Sequence, residues 1–120
     1  MKRLLTLLLV AMMALGACSG ALAEEEPLDI VFVCVDMQGA FWVKMMEGAE
    51  IAAQDYGVNL QFKSGEGTLE KQISIIENVV LQEVDAIIVD PLDREGIKPA
   101  LQAAGEAGIP IVTCGNEVDP

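Results

Sequence analysis

Two adjacent aromatic residues and several acidic or amide residues are the side chains of this chain most able to bind a ligand. Phe41 and Trp42 come shortly after one apolar segment, and Asp90 directly follows another. Aromatic faces stack against the C–H faces of sugar rings, while carboxylate and amide groups hydrogen-bond to neighbouring hydroxyls. This combination predicts a site for a neutral, polar molecule. The candidate ligand-binding residues are Phe41, Trp42, Asp90, Asn116, Asp36 and Gln38.

Most of these candidates also have a purely structural interpretation. Phe41 lies on the apolar stripe of a predicted helix and could pack in a core, whereas Trp42 lies off that stripe. Asp90 and Asp36 both stand where a strand gives way to a turn; either interpretation suits Asp36, whereas a ligand contact is favoured for Asp90, which ends a buried strand and precedes Pro91. Three further acidic residues are expected to cap a helix or to be solvated loop charges: Asp93, Glu66 and Glu117.

Composition excludes several other kinds of chemistry. The chain contains no histidine, which excludes histidine-based catalytic triads and most zinc sites. The segments that carry the candidates also lack Lys, Arg and a Ser nucleophile paired with a base. Residues 65–67, Gly-Glu-Gly, lack the lysine of a phosphate-binding loop. We therefore expect a binding protein, not an enzyme, with no catalytic residue, bound metal or cofactor.

The N-terminal segment is predicted to direct export. Two basic residues precede an uncharged apolar run over residues 4–15, and small residues follow up to Ala23. This order is typical of a secretory signal peptide over residues 1–23, and the run is too short for a transmembrane helix of about 20 residues. Residues 15–18, Leu-Gly-Ala-Cys, resemble a lipoprotein processing motif, so cleavage after Ala23 and lipidation at Cys18 both stay open. The protein is expected in the periplasm or on the outer face of the cell membrane.

The remaining chain is predicted to form a short acidic lead-in over residues 24–27 and one small domain over residues 28–120. Removal of residues 1–23 would change the formal net charge from −12 to −14, because all nineteen acidic residues follow Ala23. Such a charge argues against binding to nucleic acid or to an anionic membrane surface.

Four apolar segments are predicted to be β-strands, over residues 30–35, 58–62, 84–89 and 109–113. The first, third and fourth are nearly continuous in apolar, mostly β-branched residues, as expected for strands covered on both faces. The second alternates apolar and polar residues, which suits an edge strand.

Three helices are predicted between these strands, over residues 40–56, 69–82 and 94–107. Thr68 and Asp93 are the expected N-caps of the second and third helices. The residues expected to face inward are Phe41, Met45, Ala49, Ala52 and Tyr56 in the first helix, Leu69, Ile73, Ile76 and Val80 in the second, and Ile97, Leu101 and Ala104 in the third.

The alternation of strands and helices predicts a three-layer α/β domain, with a parallel sheet of order 2-1-3-4 and helices on both faces. Ligands bind to open parallel sheets beyond the C-terminal strand ends, where the strand order reverses. Here that point lies between the first and third strands, and the candidate residues follow these strand ends. The apolar fourth strand would be a poor edge, so the chain is expected to be the front portion of a longer protein.

The two cysteines beyond Cys18 are predicted to be free thiols. Cys34 and Cys114 fall at the ends of the first and fourth predicted strands, with the third strand between them. Two strand spacings of about 4.8 Å separate them by more than the roughly 7 Å between Cα atoms that a disulfide can span. We expect both thiols to be buried and without a function.

The ordered set of segments resembles the N-terminal lobe of ribose-type periplasmic sugar-binding proteins, the substrate receptors of bacterial ABC importers. The resemblance covers nearly the whole chain after residue 23 and rests on residues 29–33, 41–49, 71–73, 84–91 and 107–113. It implies two α/β lobes, joined by a hinge, that close over one ligand and present it to a permease. The same lobes can also present a sugar to a chemoreceptor or histidine kinase, which leaves a sensory role open.

Within this resemblance, Phe41 and Trp42 match the family's stacking aromatic residues, and Asp90 matches a polar residue that binds ligand hydroxyls. Residues 115–116, Gly-Asn, stand where many members carry an Asp-Arg pair, and Gly39 replaces a frequent Asn. The first departure implies a ligand other than ribose.

Two other functions fit parts of the pattern. Asp36, Asp90 and Thr113 at strand ends resemble the Mg²⁺ and phosphoacceptor arrangement of response-regulator receivers, but an export signal argues against cytoplasmic phosphotransfer. The effector domain of a lactose-repressor-type regulator shares the predicted fold, but it would need a helix-turn-helix in place of the signal.

Overall fold

The computed structural model describes residues 26–118, in which strands and helices alternate along the chain. In chain order the elements are β1 (Asp29–Cys34), α1 (Ala40–Tyr56), β2 (Asn59–Ser64), α2 (Leu69–Leu81), β3 (Ala86–Val89), α3 (Lys98–Glu106) and β4 (Ile111–Thr113). The strands form one parallel sheet of order β2-β1-β3-β4, so the predicted fold and strand order are confirmed. The predicted signal peptide, including Cys18, lies outside the described residues.

The sheet is built around β1, which pairs with β2 on one side and with β3 on the other. Ile30 stands opposite both Leu60 and Ala86, and the rings of Phe32 and Phe62 lie side by side with centroids 5.7 Å apart. Because β1 is central, it is the strand that a run of β-branched residues suits best.

The hydrophobic core lies on the face of the sheet covered by α2 and α3. Alternate residues of the two central strands enter it, as do Ile76 and Val79 of α2, Ala104 of α3 and Ile97, the residue just before α3, all at most 2% exposed. The inward residues predicted for α3 are therefore confirmed. In α2, however, the buried residues are Gln72, Ile76 and Val79. Of the residues predicted to face inward, only Ile76 is fully buried, while Ile73 and Val80 are partly buried. The buried side of α2 is therefore rotated about the helix axis from the predicted one.

Helix α1 packs less closely than its sequence predicts. None of its residues is buried, and Phe41 and Tyr56 are 68% and 83% exposed, so the prediction that they face inward is wrong. The helix lies over β2, on the face opposite the core, and an apolar groove of about 460 Å³ separates its alanines from Ile30 and Ile88 of the sheet. Since α1 covers only that side of the sheet, Val112 of β4 is 57% exposed, although continuous cover was predicted for its strand.

Helix α3 begins at Lys98, later than the predicted start at Arg94. Asp93 Oδ1 accepts a hydrogen bond from the amide of Glu95, at 3.0 Å, and so stabilises a turn that precedes the helix. Because Pro99 has no amide hydrogen, it cannot donate the helical hydrogen bond to the carbonyl of Glu95 that would join this turn to α3. By contrast, the predicted cap of α2 is present, since Thr68 Oγ1 accepts from the amide of Lys71 at 3.4 Å. No helix within residues 26–118 has the length and apolar character needed to cross a membrane.

Candidate functional site

The C-terminal ends of the four strands meet along one edge of the sheet, and backbone hydrogen bonds extend the sheet into the loops that follow. The amide of Gly65 donates to the carbonyl of Cys34 at 2.8 Å, and the amide of Asp90 donates to Val33 at 3.0 Å. On the other side of β3, the amide of Cys114 donates to Val89 at 2.9 Å. The loop residues predicted to bind a ligand therefore start from a rigid base. The strand order reverses between β1 and β3, at the crevice where such sheets bind ligands.

Asp90 is the most buried of the predicted site residues. It follows the last residue of β3 and is only 5% exposed. None of the side-chain hydrogen bonds within residues 26–118 reaches its carboxylate, although its backbone amide and carbonyl are both paired. Burial raises the pKa of this carboxyl above its ordinary value of 3.8, because the charged form loses solvation. An acceptor held in this way is suited to donors brought by a ligand.

A fully buried glutamine fixes the backbone around Asp90, and sequence reasoning did not single it out as part of the site. Gln72 of α2 donates from Nε2 to the carbonyl of Asp90 at 2.7 Å, and its Oε1 accepts from the amide of Leu92 at 2.9 Å. Its Cγ lies so close to Gly65 that a Cβ there would approach it to 2.5 Å. The side chain thus joins the loops after β2 and β3. A glutamine placed on the apolar side of α2, between Leu69 and Ile76, was the available signal.

The two predicted aromatic residues begin α1 and touch each other. The rings of Phe41 and Trp42 are 4.9 Å apart and nearly perpendicular, at 84°. Phe41 is 68% exposed and Trp42 is partly buried, so neither is held in the core. Since α1 follows the C-terminal end of β1, the pair belongs to the same edge of the sheet as Asp90. Apolar ring surface and the carboxyl of Asp90 are thus presented along the same edge of the sheet.

Asp36 and Gln38 lie in the loop between β1 and α1. Asp36 Oδ1 accepts hydrogen bonds from the amides of Met37 at 2.6 Å and Gln38 at 3.1 Å, which shapes the turn that leads into the aromatic pair. The Gln38 side chain is exposed and makes no hydrogen bond within residues 26–118. Asp36 therefore holds the conformation of the loop, whereas the side-chain amide of Gln38 has no partner within residues 26–118.

Asn116 uses both ends of its amide in contacts with the protein. Its Nδ2 donates to the carbonyl of Pro91 at 3.0 Å, and its Oδ1 accepts from Arg94 Nη2 at 3.4 Å. The structure therefore brings a cation to this edge of the sheet, from Arg94, which directly follows one of the convergent segments. Arg94 was missed because it stands in a segment predicted to be helix.

Cys34 and Cys114 flank Asp90 and are both free, as predicted. Burial, followed by the nearby Cys114 and Asp90, raises the pKa of Cys34 to about 11. Cys114 is only partly buried, contrary to expectation, because β4 is the edge strand. Its pKa is also raised by burial and by Asp90. A thiol with a raised pKa is a poor nucleophile and a poor metal ligand. Within residues 26–118 no group of three or more His, Cys, Asp or Glu side chains is placed to hold a metal ion.

The parallel sheet with a polar and aromatic edge suits the binding of a small polar molecule, and the class of protein follows from a family match. Residues 30–119 match the periplasmic binding protein domain family, so the match covers all four strands except Asp29, the first residue of β1. The chain belongs to that family.

Its relatives include named sugar-binding proteins. The chain is 31% identical to the ABC transporter periplasmic-binding protein YphF of Escherichia coli strain K12, over 98% of this chain and 37% of that protein. It is 29% identical to the D-ribose/D-allose-binding protein of Pseudomonas aeruginosa, over 100% of this chain and 41% of that protein. A crystal structure from Mycobacterium smegmatis in complex with β-D-fucofuranose is 35% identical and superposes with a TM-score of 0.70, over 78% of this chain and 31% of that chain.

The chain thus spans about two fifths or less of the length of the relatives it matches.

Proposed function

We propose that the protein is the substrate-binding component of an ABC importer and captures a sugar or a similar polyhydroxylated molecule. The observation that carries this proposal is Asp90, which follows β3 beside the point where the strand order reverses, is only 5% exposed and has no donor to its carboxylate within residues 26–118. Hydroxyl groups of a ligand would supply the donors that this carboxylate lacks.

The aromatic pair supports the apolar half of the same site. The partly buried Trp42 ring, braced by the edge-to-face contact with Phe41, offers a flat surface to the C–H face of a sugar ring. Gln38 is free to add a hydrogen bond from the same loop. Asp36 and Asn116 are then positioning residues, because their side chains hold the loops that carry the ligand contacts.

The names of the relatives support import as the biological role. The E. coli relative is named as an ABC transporter protein and the P. aeruginosa relative as a D-ribose/D-allose-binding protein. In this proposal the protein is exported by residues 1–23, acts in the periplasm or lipid-anchored at Cys18, and delivers its ligand to a permease. It carries out no chemical conversion.

Binding can shift the equilibrium between an open and a closed arrangement of two lobes, which a membrane partner then reads. The lobe formed by residues 26–118 provides one wall of the crevice. Its rigid edge, fixed by backbone hydrogen bonds and by Gln72, is suited to act as the fixed surface in such a closure.

A thermal-shift screen of the complete gene product against pentoses, hexoses, polyols and nucleosides tests the proposal first. We expect one or a few sugars to raise the melting temperature. Calorimetry with that sugar then compares Trp42→Ala with Tyr56→Ala, which removes an 83% exposed aromatic ring at the other end of α1. We expect the first change to weaken binding by about 1–3 kcal/mol, the scale of a stacked aromatic ring and its buried area.

The Tyr56 change should leave the affinity unaltered. Equal affinities of the wild type and the Trp42 variant would reject the assignment of that ring. A complete gene product that bound none of the four compound classes would reject the function.

A further inference from the structure

The end of β4 turns sharply directly beside Asp90. The amide of Asn116 donates to the carbonyl of Cys114 at 2.8 Å, which closes a three-residue turn with Gly115 at its centre. The φ of Gly115 is +72°, a conformation that side-chain-bearing residues rarely adopt.

The space on the Cα of Gly115 is occupied by the Asp90 carboxylate. A Cβ at residue 115 would lie 2.6 Å from Asp90 Oδ1 and 3.1 Å from its Cγ. The first distance is far inside van der Waals contact, so either the carboxylate or the turn would have to move. Among the other glycines with positive φ, those at 39, 57, 67 and 108 would place a Cβ in open space. Only at residue 115, among these five, does the missing side chain make room for another residue.

The position of the carboxylate is not fixed by hydrogen bonds. Gln72 and Val33 hold the backbone of Asp90, whereas the carboxylate itself has no donor within residues 26–118. The free volume over Gly115 is therefore what allows the side chain to lean from β3 towards the end of β4.

We propose that Gly115 is a specificity-determining residue, because its missing side chain admits the Asp90 carboxylate to the corner between the ends of β3 and β4, where it accepts ligand hydroxyls. The role in ligand selection rests on the proposed function, whereas the occupation of the corner does not. A ligand must then place its donor hydroxyls at this corner.

A double-mutant cycle on the complete gene product tests the occupation without a ligand. Gly115→Ala combines the strain of a positive φ with the clash against Asp90, whereas Gly57→Ala, at φ +66°, carries the strain alone. We expect Gly115→Ala to lower the folded-to-unfolded ratio in urea about five-fold more than Gly57→Ala does, because the Asp90 carboxylate must be displaced from the corner. In an Asp90→Ala background this excess should shrink, because the clashing atoms are gone and only the difference in backbone strain between the two turns remains.

An unchanged excess in the Asp90→Ala background would overturn the inference. If Gly115→Ala fails to fold, the double variant Asp90→Ala/Gly115→Ala decides instead. Recovery of folding supports the inference, and continued failure, with Gly57→Ala and Asp90→Ala both folded, overturns it.

Calorimetry with D-ribose, D-allose, D-fucose, L-arabinose and D-fructose tests the role in selection. For each of these sugars that binds the wild type, Gly115→Ala should weaken binding about ten-fold or more, as should Asp90→Ala, and Gly57→Ala should leave it within two-fold. A Gly115→Ala variant that is folded and binds normally would overturn the selective role. If neither these sugars nor any compound of the thermal-shift screen binds the wild type, the proposed function fails, while the cycle still decides whether Asp90 occupies the corner.

Discussion

Replacement of Gln72 by leucine should destabilise the protein because this side chain is the link between α2 and the loop that carries Asp90. The glutamine is 0% exposed and makes hydrogen bonds of 2.7 Å to the carbonyl of Asp90 and 2.9 Å from the amide of Leu92. Leucine has a similar volume but can pair with neither backbone group.

The expected loss follows from the two groups left unpaired. A buried backbone donor or acceptor without a partner costs about 1–3 kcal/mol. Burying leucine in place of an amide offsets part of this, since a fully buried leucine contributes about 1.5–3 kcal/mol. We expect a net decrease of about 2 kcal/mol in the free energy of unfolding, a large part of the 5–15 kcal/mol typical of whole domains.

Urea unfolding of the complete gene product measures this loss, with Gln54→Leu as the matched control. Gln54 is exposed on α1 and makes no side-chain hydrogen bond within residues 26–118, so its replacement should change stability by less than about 0.5 kcal/mol. If Gln72→Leu were no more destabilising than Gln54→Leu, the two hydrogen bonds of Gln72 would not stabilise the loop that carries Asp90, contrary to the structure.

Three further predictions follow from single contacts. Thr68→Ala should lower the free energy of unfolding by about 1 kcal/mol, because the amide of Lys71 loses its capping acceptor; a change below 0.3 kcal/mol in urea unfolding would argue against the cap. Iodoacetamide at pH 8 should modify Cys114 well before Cys34, because Cys34 is 0% exposed and its thiol has a pKa of about 11. Mass spectrometry of the labelled peptides measures the two rates, which should become equal only in denaturant. Because burial raises the pKa of Asp90 in the folded state, its ionisation destabilises the protein as pH rises through that pKa. Asp90→Asn should therefore stabilise the protein at pH 7 and lose this advantage below the ordinary value of 3.8; an equal advantage at both pH values in urea unfolding would refute the burial argument.

The sheet could be predicted from the sequence because its signals are local. Runs of β-branched residues, helix stripes with period 3.6 and the polar pattern of the second strand together indicated the order β2-β1-β3-β4. Boundaries were less predictable where a single residue interrupts hydrogen bonding. Pro99 delays α3, and β4 begins only after Pro110, which has no amide hydrogen to donate.

The packing of α1 could not be predicted from its stripe. An apolar stripe shows which side of a helix is suited to burial, but not how much of the sheet the helix covers. Phe41 and Tyr56, at the two ends of α1, remain exposed although both lie on this stripe.

The candidate site was predictable by residue type but not by contact. Parallel strands bring their C-terminal ends to one edge, which places Asp90 and the aromatic pair there from the sequence alone. The link from Gln72 to Asp90 and the contact between Arg94 and Asn116 join residues 18 and 22 positions apart in the chain. Such contacts depend on how α2 and the loop before α3 pack, which no local pattern specifies.

The most direct test of the proposed site is a crystal structure of the complete gene product bound to the sugar that most raises its melting temperature. We expect that in this complex the Trp42 ring lies against the face of the sugar and the Asp90 carboxylate accepts hydrogen bonds from the sugar hydroxyls. A bound sugar that touched none of Phe41, Trp42 and Asp90 would contradict the proposed site.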